Sequence, residues 1–320
     1  MKRLGVLTSG GDAPGMNAAV RAVVRTALAG GLEVLGIERG YHGLLNGNVH
    51  PMESHSVSGI INRGGTVLRT ARSAEFRTPE GQARAAEQVA KHGLDGLVVI
   101  GGDGSYRGAL ALHRTCGIRV AGVPGTIDND IPGTEYTIGY DTAANTALDA
   151  IDKIRDTATS HDRVFVVEVM GRLNGSIALT VSIAGGAEAA IIPEVRHDML
   201  RLCQRIQEWQ AKGKLSCIIV VAEGAARGSD IAATITQVTG IETRLAVIGH
   251  IQRGGAPSAR DREMATRFGA EAVNALLDGE TATMIGLVRD RVVRAPIEAV
   301  ECEQRTLDEG LLALVDVMAT

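Results

Sequence analysis

Short apolar runs that break into glycine turns recur along this chain. Leu4-Gly5-Val6-Leu7-Thr8 runs into Ser9-Gly10-Gly11-Asp12, and Leu97-Val98-Val99-Ile100 into Gly101-Gly102-Asp103-Gly104-Ser105. Val120-Ala121-Gly122-Val123 runs into Pro124-Gly125-Thr126-Ile127-Asp128-Asn129-Asp130. Continuous apolar runs of this length, closed by glycine, suit strands buried on both faces. Between them the spacing predicts helices over 16–29, closed by Gly30-Gly31, over 80–91, closed by Gly93, and near 105–114. Residues 33–37 and 118–123 read as strands. Farther on, 141–159 predicts a long helix and 164–169 a strand ending at Met170-Gly171-Arg172. Asp198 caps a predicted helix running to Lys212, 218–221 and 245–248 are strands, and 259–277 is helical. Strands alternating with helices at this spacing predict an α/β fold with a parallel, doubly wound sheet. Right-handed crossovers then bring the loops after successive strands to one edge.

Composition narrows the class. The chain has 320 residues, 45% apolar and 22% charged, with 40 glycines, which suits a soluble α/β enzyme of one or two domains. A formal net charge of −4 offers no bulk attraction to nucleic acid or to an anionic membrane. With 3 Phe, 4 Tyr and 1 Trp, a stacking platform for single-stranded nucleic acid is not expected. Cys116, Cys203, Cys217 and Cys302 are scattered and read as reduced thiols of a cytoplasmic protein. No apolar stretch is long enough for a bilayer, and the five residues between Lys2-Arg3 and Ser9 are too few for a signal peptide.

The glycine turns carry acids, and that combination points to phosphate chemistry. Backbone amides freed by glycine can cradle an anion at a helix N-terminus. The first turn lacks the G-K-[ST] ending of a P-loop and the G-x-G-x-x-G of a dinucleotide fold. Asp103, between glycines at a strand end, can hold Mg²⁺ against nucleotide phosphates; the competing reading is a solvated turn carboxylate that caps the next helix. Asp128 and Asp130 are two apart, so in an extended segment both face one way. One could then take a proton from an attacking alcohol while the other tunes it; a plain turn is the alternative. Arg72, Arg77, Arg172 and Arg253 lie near glycines at predicted element ends, where they can neutralise a moving phosphoryl group. Arg21 and Arg25 are one turn apart on the first helix, which suits either a separate anion site or a solvated face.

Taken in order, four segments resemble the bacterial ATP-dependent 6-phosphofructokinase family. They are Leu7 to Asn17 (LTSGGDAPGMN), Ile100 to Ser105 (IGGDGS), Pro124 to Asp130 (PGTIDND) and Gly249 to Gly255 (GHIQRGG). The resemblance runs from Lys2 to about Leu287, and the last thirty or so residues match poorly. It implies two similar doubly wound domains, each a mostly parallel sheet flanked by helices, with the active site in the cleft between them. Residues 1–139 with 252–302 form a larger ATP-binding domain, and 140–251 with 303–320 a smaller fructose 6-phosphate-binding domain. It implies transfer of the γ-phosphoryl group of ATP to the 1-hydroxyl of fructose 6-phosphate in a cytoplasmic homotetramer.

The implied roles follow from the same match. Asp128 is the general base, Asp130 supports it, Asp103 holds Mg²⁺, and Thr126, Arg72 and Arg172 stabilise the moving group. Gly11, Arg72, Ser73, Gly102, Asp103, Gly104 and Ser105 bind ATP. Thr126, Ile127, Asp128, Met170, Gly171, Arg172, Glu223, His250, Ile251, Gln252 and Arg253 bind the sugar phosphate, with Arg163 and Arg244 reaching that of a neighbouring subunit. An effector site for ADP or phosphoenolpyruvate takes Arg21, Arg25, Arg155, Gly186, Glu188, Lys212, Lys214 and Ser216. Ser54 and Gly59 stand where an arginine and an aspartate are frequent, so a weakened response is expected. Ser73 and Arg107 also depart from the pattern. Three rivals remain. A pyrophosphate-dependent relative is disfavoured by Gly104 and Gly125, where such enzymes carry an acid and a lysine. A non-catalytic sugar-phosphate sensor is disfavoured by Asp128 and Asp130, and a nicotinamide dehydrogenase by the missing fingerprint.

Overall fold

The computed structural model describes residues 1–214, 216–303 and 305–319. In chain order the elements are β1 (Arg3–Thr8), α1 (Met16–Ala29), β2 (Glu33–Ile37), α2 (Gly40–Leu45), β3 (Val49–Met52), α3 (Pro79–His92), β4 (Gly96–Gly101), α4 (Asp103–Cys116) and β5 (Arg119–Pro124). Then follow α5 (Tyr140–His161), β6 (Val164–Val169), α6 (Ser176–Gly185), β7 (Ala189–Ile191), α7 (Met199–Ala211), β8 (Cys217–Ala222), α8 (Gly228–Thr239) and β9 (Thr243–Val247). The chain finishes with α9 (Ala259–Leu277), β10 (Thr283–Val288), β11 (Arg291–Pro296), α10 (Ala299–Cys302) and α11 (Glu309–Met318). It divides into two compact units: Met1–Thr142 with Arg253–Arg305, and Ala143–Gln252 with Thr306–Thr320.

The first unit is built on a seven-stranded sheet in the order β11-β10-β5-β4-β1-β2-β3. β2, β1, β4, β5 and β10 run parallel, while β3 and β11 pair antiparallel at the two edges. One face carries a core in which Leu7, Ile37, Leu97 and Val99 of the strands meet Leu44, Val89, Tyr106 and Leu110 of α2, α3 and α4. On α1 and α9 the backbones approach closely: a Cβ on Gly269 would stand 2.7 Å from the Ala19 carbonyl oxygen. The caps are the expected kinds. Thr78 Oγ1 accepts from Gly81 N at 3.1 Å ahead of α3, with Pro79 at its first position, and Gly93 closes it in the left-handed region.

The second unit repeats the plan with four parallel strands in the order β7-β8-β6-β9. Its core joins Val164, Val166, Ile219 and Val221 to Ile206, Trp209, Ile231 and Ile235. Asp198 caps α7 by accepting from Arg201 N at 3.1 Å. Among the described residues no helix is long and apolar enough to cross a membrane. The short edge strands and the nearly all-apolar α6 carry no strong period, which is why the sequence pattern passes over them; α8, also passed over, buries Gly228, Ile231, Ala232 and Ile235 on one face.

Candidate active site

In the first unit the three acid-bearing turns follow β1, β4 and β5, which are adjacent and parallel, so their carboxyl ends lie side by side. The chain winds outward from β1 to β2 and, on the other side, from β4 to β5. The turns after β1 and β4 therefore flank the point where winding direction reverses, the usual ligand crevice of such sheets. The turns are tied together. Ser9 N donates to the Ile100 carbonyl at 2.9 Å and Gly125 N to the Gly101 carbonyl at 3.0 Å. A Cβ on Gly102 would lie 3.6 Å from Thr126 Cβ. At Gly101 a side chain would strike the Ser9 carbonyl and the Ser105 hydroxyl, so glycine there is a packing requirement.

Asp103 is the first residue of α4 and does not cap it; Gly102 holds the cap position without a side-chain bond. Its carboxylate instead takes Arg107 Nε at 3.0 and 3.2 Å, while Arg107 Nη2 donates to the Val300 carbonyl at 2.9 Å. Of the two arrangements open for 128–130, extended segment or turn, the structure shows a turn. Asn129 sits at φ 52, a left-handed conformation, so strand alternation does not orient the two acids. They are close in charge all the same. Burial pushes the Asp128 carboxyl up and the Arg253 guanidinium draws it back. Asp130 is pushed up to about 6, first by burial, then by Asp128, with Asp103 adding to the push and Arg305 opposing it. Oδ1 of Asp130 is buried and without a hydrogen-bond partner.

Gly11, read as an ATP contact, leaves the space in which the Arg253 guanidinium lies; a Cβ there would overlap it. Arg253 Nη1 donates to the Asp12 carbonyl at 3.1 Å. Ile127 is fully buried, so its side chain belongs to the core. Arg72 and Arg77 are exposed. Ser73 Oγ accepts from Phe76 N at 3.2 Å, which closes a short 3₁₀ turn over Glu75–Arg77. That turn delivers Phe76 onto Tyr41, with rings stacked at 4.2 Å and 11°. Tyr41 in turn donates to the Ser105 carbonyl at 2.6 Å. The reading of the sequence missed this aromatic buttress of the second turn. In a chain with so few aromatics, each Tyr and Phe was itself a signal.

In the second unit the loops after the neighbouring strands β8, β6 and β9 gather Glu223, Met170 to Arg172, and His250 at the carboxyl edge. Glu223 N donates to the Val169 carbonyl at 2.9 Å and Gly224 N to the Gly171 carbonyl at 3.2 Å. Gly171 adopts φ 141, where an added Cβ would press on the Asn174 carbonyl. Arg172, Glu223, His250 and Ile251 are exposed. Gln252 is fully buried, accepting from Met170 N at 2.7 Å and donating to the Ala143 carbonyl at 3.3 Å. Its amide is spent on positioning the Met170 turn. Arg163 and Arg244 both pair with Glu242, Arg163 at 3.2 Å.

The candidate effector residues of this unit centre on Glu188, which is 2% exposed. It accepts from Ile218 N at 2.5 Å and faces Lys214 at 3.1 Å and Arg155 at 3.9 Å. Arg155 also donates to the carbonyls of Gly185 and Gly186, each at 2.6 Å, and Lys214 to that of Ala319 at 2.9 Å. Lys212 ends α7 and is exposed, and Ser216 precedes β8 half-buried. Arg21 and Arg25 stand on the outward side of α1 in the other unit.

The phosphofructokinase family model matches residues 3–276. An ATP-dependent 6-phosphofructokinase of Shouchella clausii is 55% identical over 314 residues, covering 98% of both chains. The enzyme of that name from Clostridium tetani is 54% identical over 319 residues, covering 100% of both. Among solved structures, phosphofructokinase from Saccharomyces cerevisiae superposes with a TM-score of 0.88 at 38% identity over 100% of this chain. This chain spans about half (47%) of the yeast one. The match across most of the chain and the full-length identities above 50% lead to one conclusion: the chain belongs to the phosphofructokinase family and is one of its enzymes.

Proposed function

We propose that this chain is a cytoplasmic glycolytic kinase that transfers the γ-phosphoryl group of ATP to the 1-hydroxyl of fructose 6-phosphate. The observation that carries the reading is full-length identity of 54–55% to enzymes named for that activity. The three adjacent turns of the first unit support it. Asp128 accepts the proton of the attacking hydroxyl; its burial strengthens it as a base, and the Arg253 guanidinium opposes that upward shift. Thr126, Arg72 and Arg172 offset the charge of the moving group. Gly102 and Gly104 offer main-chain amides to the nucleotide phosphates, while the Ser105 amide closes the turn onto the Gly102 carbonyl at 2.9 Å. Arg172, Glu223, His250 and Arg253 take the sugar phosphate, with arginine suited to the phosphate and glutamate to hydroxyls. The first unit serves as the nucleotide domain and the second as the sugar-phosphate domain, in a homotetramer whose Arg163 and Arg244 serve a neighbour.

The residues fit Mg²⁺. Among the described residues no three His, Cys, Asp or Glu side chains gather as a cage. Mg²⁺ on a nucleotide usually needs only one or two carboxylates beside the phosphates. The half-exposed Asp103 carboxylate and the unpartnered Asp130 Oδ1 would hold it, and the ion would neutralise phosphate charge.

Donor choice is read from space. A Cβ at Gly104 would meet nothing within 4 Å, room that suits a nucleotide, so ATP is preferred to pyrophosphate. A coupled assay should show turnover with ATP and fructose 6-phosphate, and at least a hundredfold less with pyrophosphate; equal turnover with both donors refutes the reading. Two of the effector cations, Arg155 and Lys214, already engage Glu188 and main-chain carbonyls, which supports a weak response. Phosphoenolpyruvate should leave the fructose 6-phosphate curve nearly hyperbolic; a strongly sigmoidal curve refutes this.

A further inference from the structure

The segment that carries Asp128 and Asp130 has almost no regular structure between Pro124 and Tyr140. Its shape rests on bonds between its two arms. Thr137 Oγ1 donates to the Thr126 carbonyl at 2.7 Å and to Asn129 Oδ1 at 3.3 Å. Asn129 between the acids is 4% exposed and left-handed, a conformation its side chain tolerates and its hydrogen-bonded surroundings fix.

Arg305 supplies the hold from far along the chain. Nη1 donates to the Asn129 carbonyl at 2.9 Å and Nη2 to the Glu135 carbonyl at 3.1 Å. The guanidinium is half-buried and, among the described residues, makes no ion pair within 4 Å. Burial pulls its pKa down, and only the more distant charges of Glu135 and Asp130 and the Tyr140 hydroxyl oppose this. A cation taken from water without an adjacent carboxylate is costly, so its two main-chain bonds are the reason it can stay. The planar fork meets two carbonyls six residues apart, one of them the peptide that separates the two acids.

We propose that Arg305 is a positioning residue for phosphoryl transfer: by bridging the carbonyls of Asn129 and Glu135 it locks the left-handed turn and aims the Asp128 and Asp130 carboxylates. This rests on the reading of Asp128 as the base. Freeing the Asn129 peptide lets it turn toward ordinary backbone angles, which moves the flanking carboxylates on the ångström scale. Misplacement of that size costs about a hundredfold in rate. Lysine, with one point of charge, cannot bridge two carbonyls as the fork does.

The test compares wild type, Arg305→Lys and Arg305→Ala in steady state with ATP and fructose 6-phosphate, with thermal melts alongside. For Arg305→Ala, kcat should fall about tenfold to a hundredfold, with both KM values within about twofold of wild type. Arg305→Lys should fall between. Added guanidinium ion should restore part of the lost kcat in Arg305→Ala and none in wild type. A kcat within threefold of wild type in both variants overturns the proposal. So does a loss of kcat matched by KM increases for both substrates without guanidinium rescue, the mark of general loosening. Should Arg305→Ala fail to fold, the kcat of Arg305→Lys decides by the same threefold criterion. A wild type that does not turn over refutes the functional reading itself, whereas a wild type and variants that turn over alike refute only the role of Arg305.

Discussion

Replacing Asp130 by asparagine removes a buried charge while keeping its volume, and the protein should become more stable where that charge exists. The folded-state pKa of about 6 stands above the ordinary 3.8, chiefly through burial and the neighbouring Asp128. The difference is worth about 3 kcal/mol, by which folding is penalised once the group is ionised in both states. The sign follows from the raised value: the contribution of Asp130 is fully present below about pH 3.8 and is lost as pH rises through 6. The variant escapes the loss. The two should therefore melt together near pH 3.5 and separate between pH 4 and 6. At about 2.1 cal/mol/K of unfolding entropy per residue over 320 residues, the gap at pH 8 is about 4–5 °C. Paired thermal melts from pH 3.5 to 8 measure it. A gap that does not change with pH, or a variant less stable than wild type at pH 8, refutes the account of Asp130 as a strained ionised acid. If Asp130 supports the base, the gain in stability comes with a loss of kcat, the usual trade at a functional site.

Two further outcomes are expected. Asp128→Ser should lower kcat by about 10²–10⁴, equal to about 3–5 kcal/mol of barrier, with KM values changed only a few-fold; near-normal kcat in steady-state assays removes Asp128 as the base. Gly104→Asp places its Cβ in open space, so the melting temperature should hold to within about 2 °C while kcat/KM for ATP falls at least tenfold; unchanged use of ATP would show that this position does not select the donor.

Local order and interaction across the fold leave different traces in a sequence. Apolar runs closed by glycine placed β1, β4, β5, β6 and β8 to within about one residue at each end, because a buried strand must be apolar and its turn must tolerate close backbone. Met16–Ala29, Val164–Val169 and Ala259–Leu277 follow the predicted bounds. The edge strands β3 and β11 and the helix α6 escaped, since neither an edge nor a nearly all-apolar helix shows a clean period; α8 was missed although Gly228, Ile231, Ala232 and Ile235 form one buried face. The acids Asp103, Asp128 and Asp130 could be picked out because each lies beside its glycine turn.

The parts that escaped are those assembled from distant positions. Asn129 turns left-handed against a strand-like spacing because Arg305, Thr137 and Glu135 bond across it. Gly11 is glycine to admit Arg253, and Tyr41 with Phe76 props the Ser105 turn from two other segments. By itself the sequence determined the alternation of elements, the acid-bearing turns and the family. Only the tertiary structure decided which cations face which acids and how far burial lifts Asp130, because desolvation and cross-chain hydrogen bonds depend on what packs around a group, which is written nowhere near it in the chain.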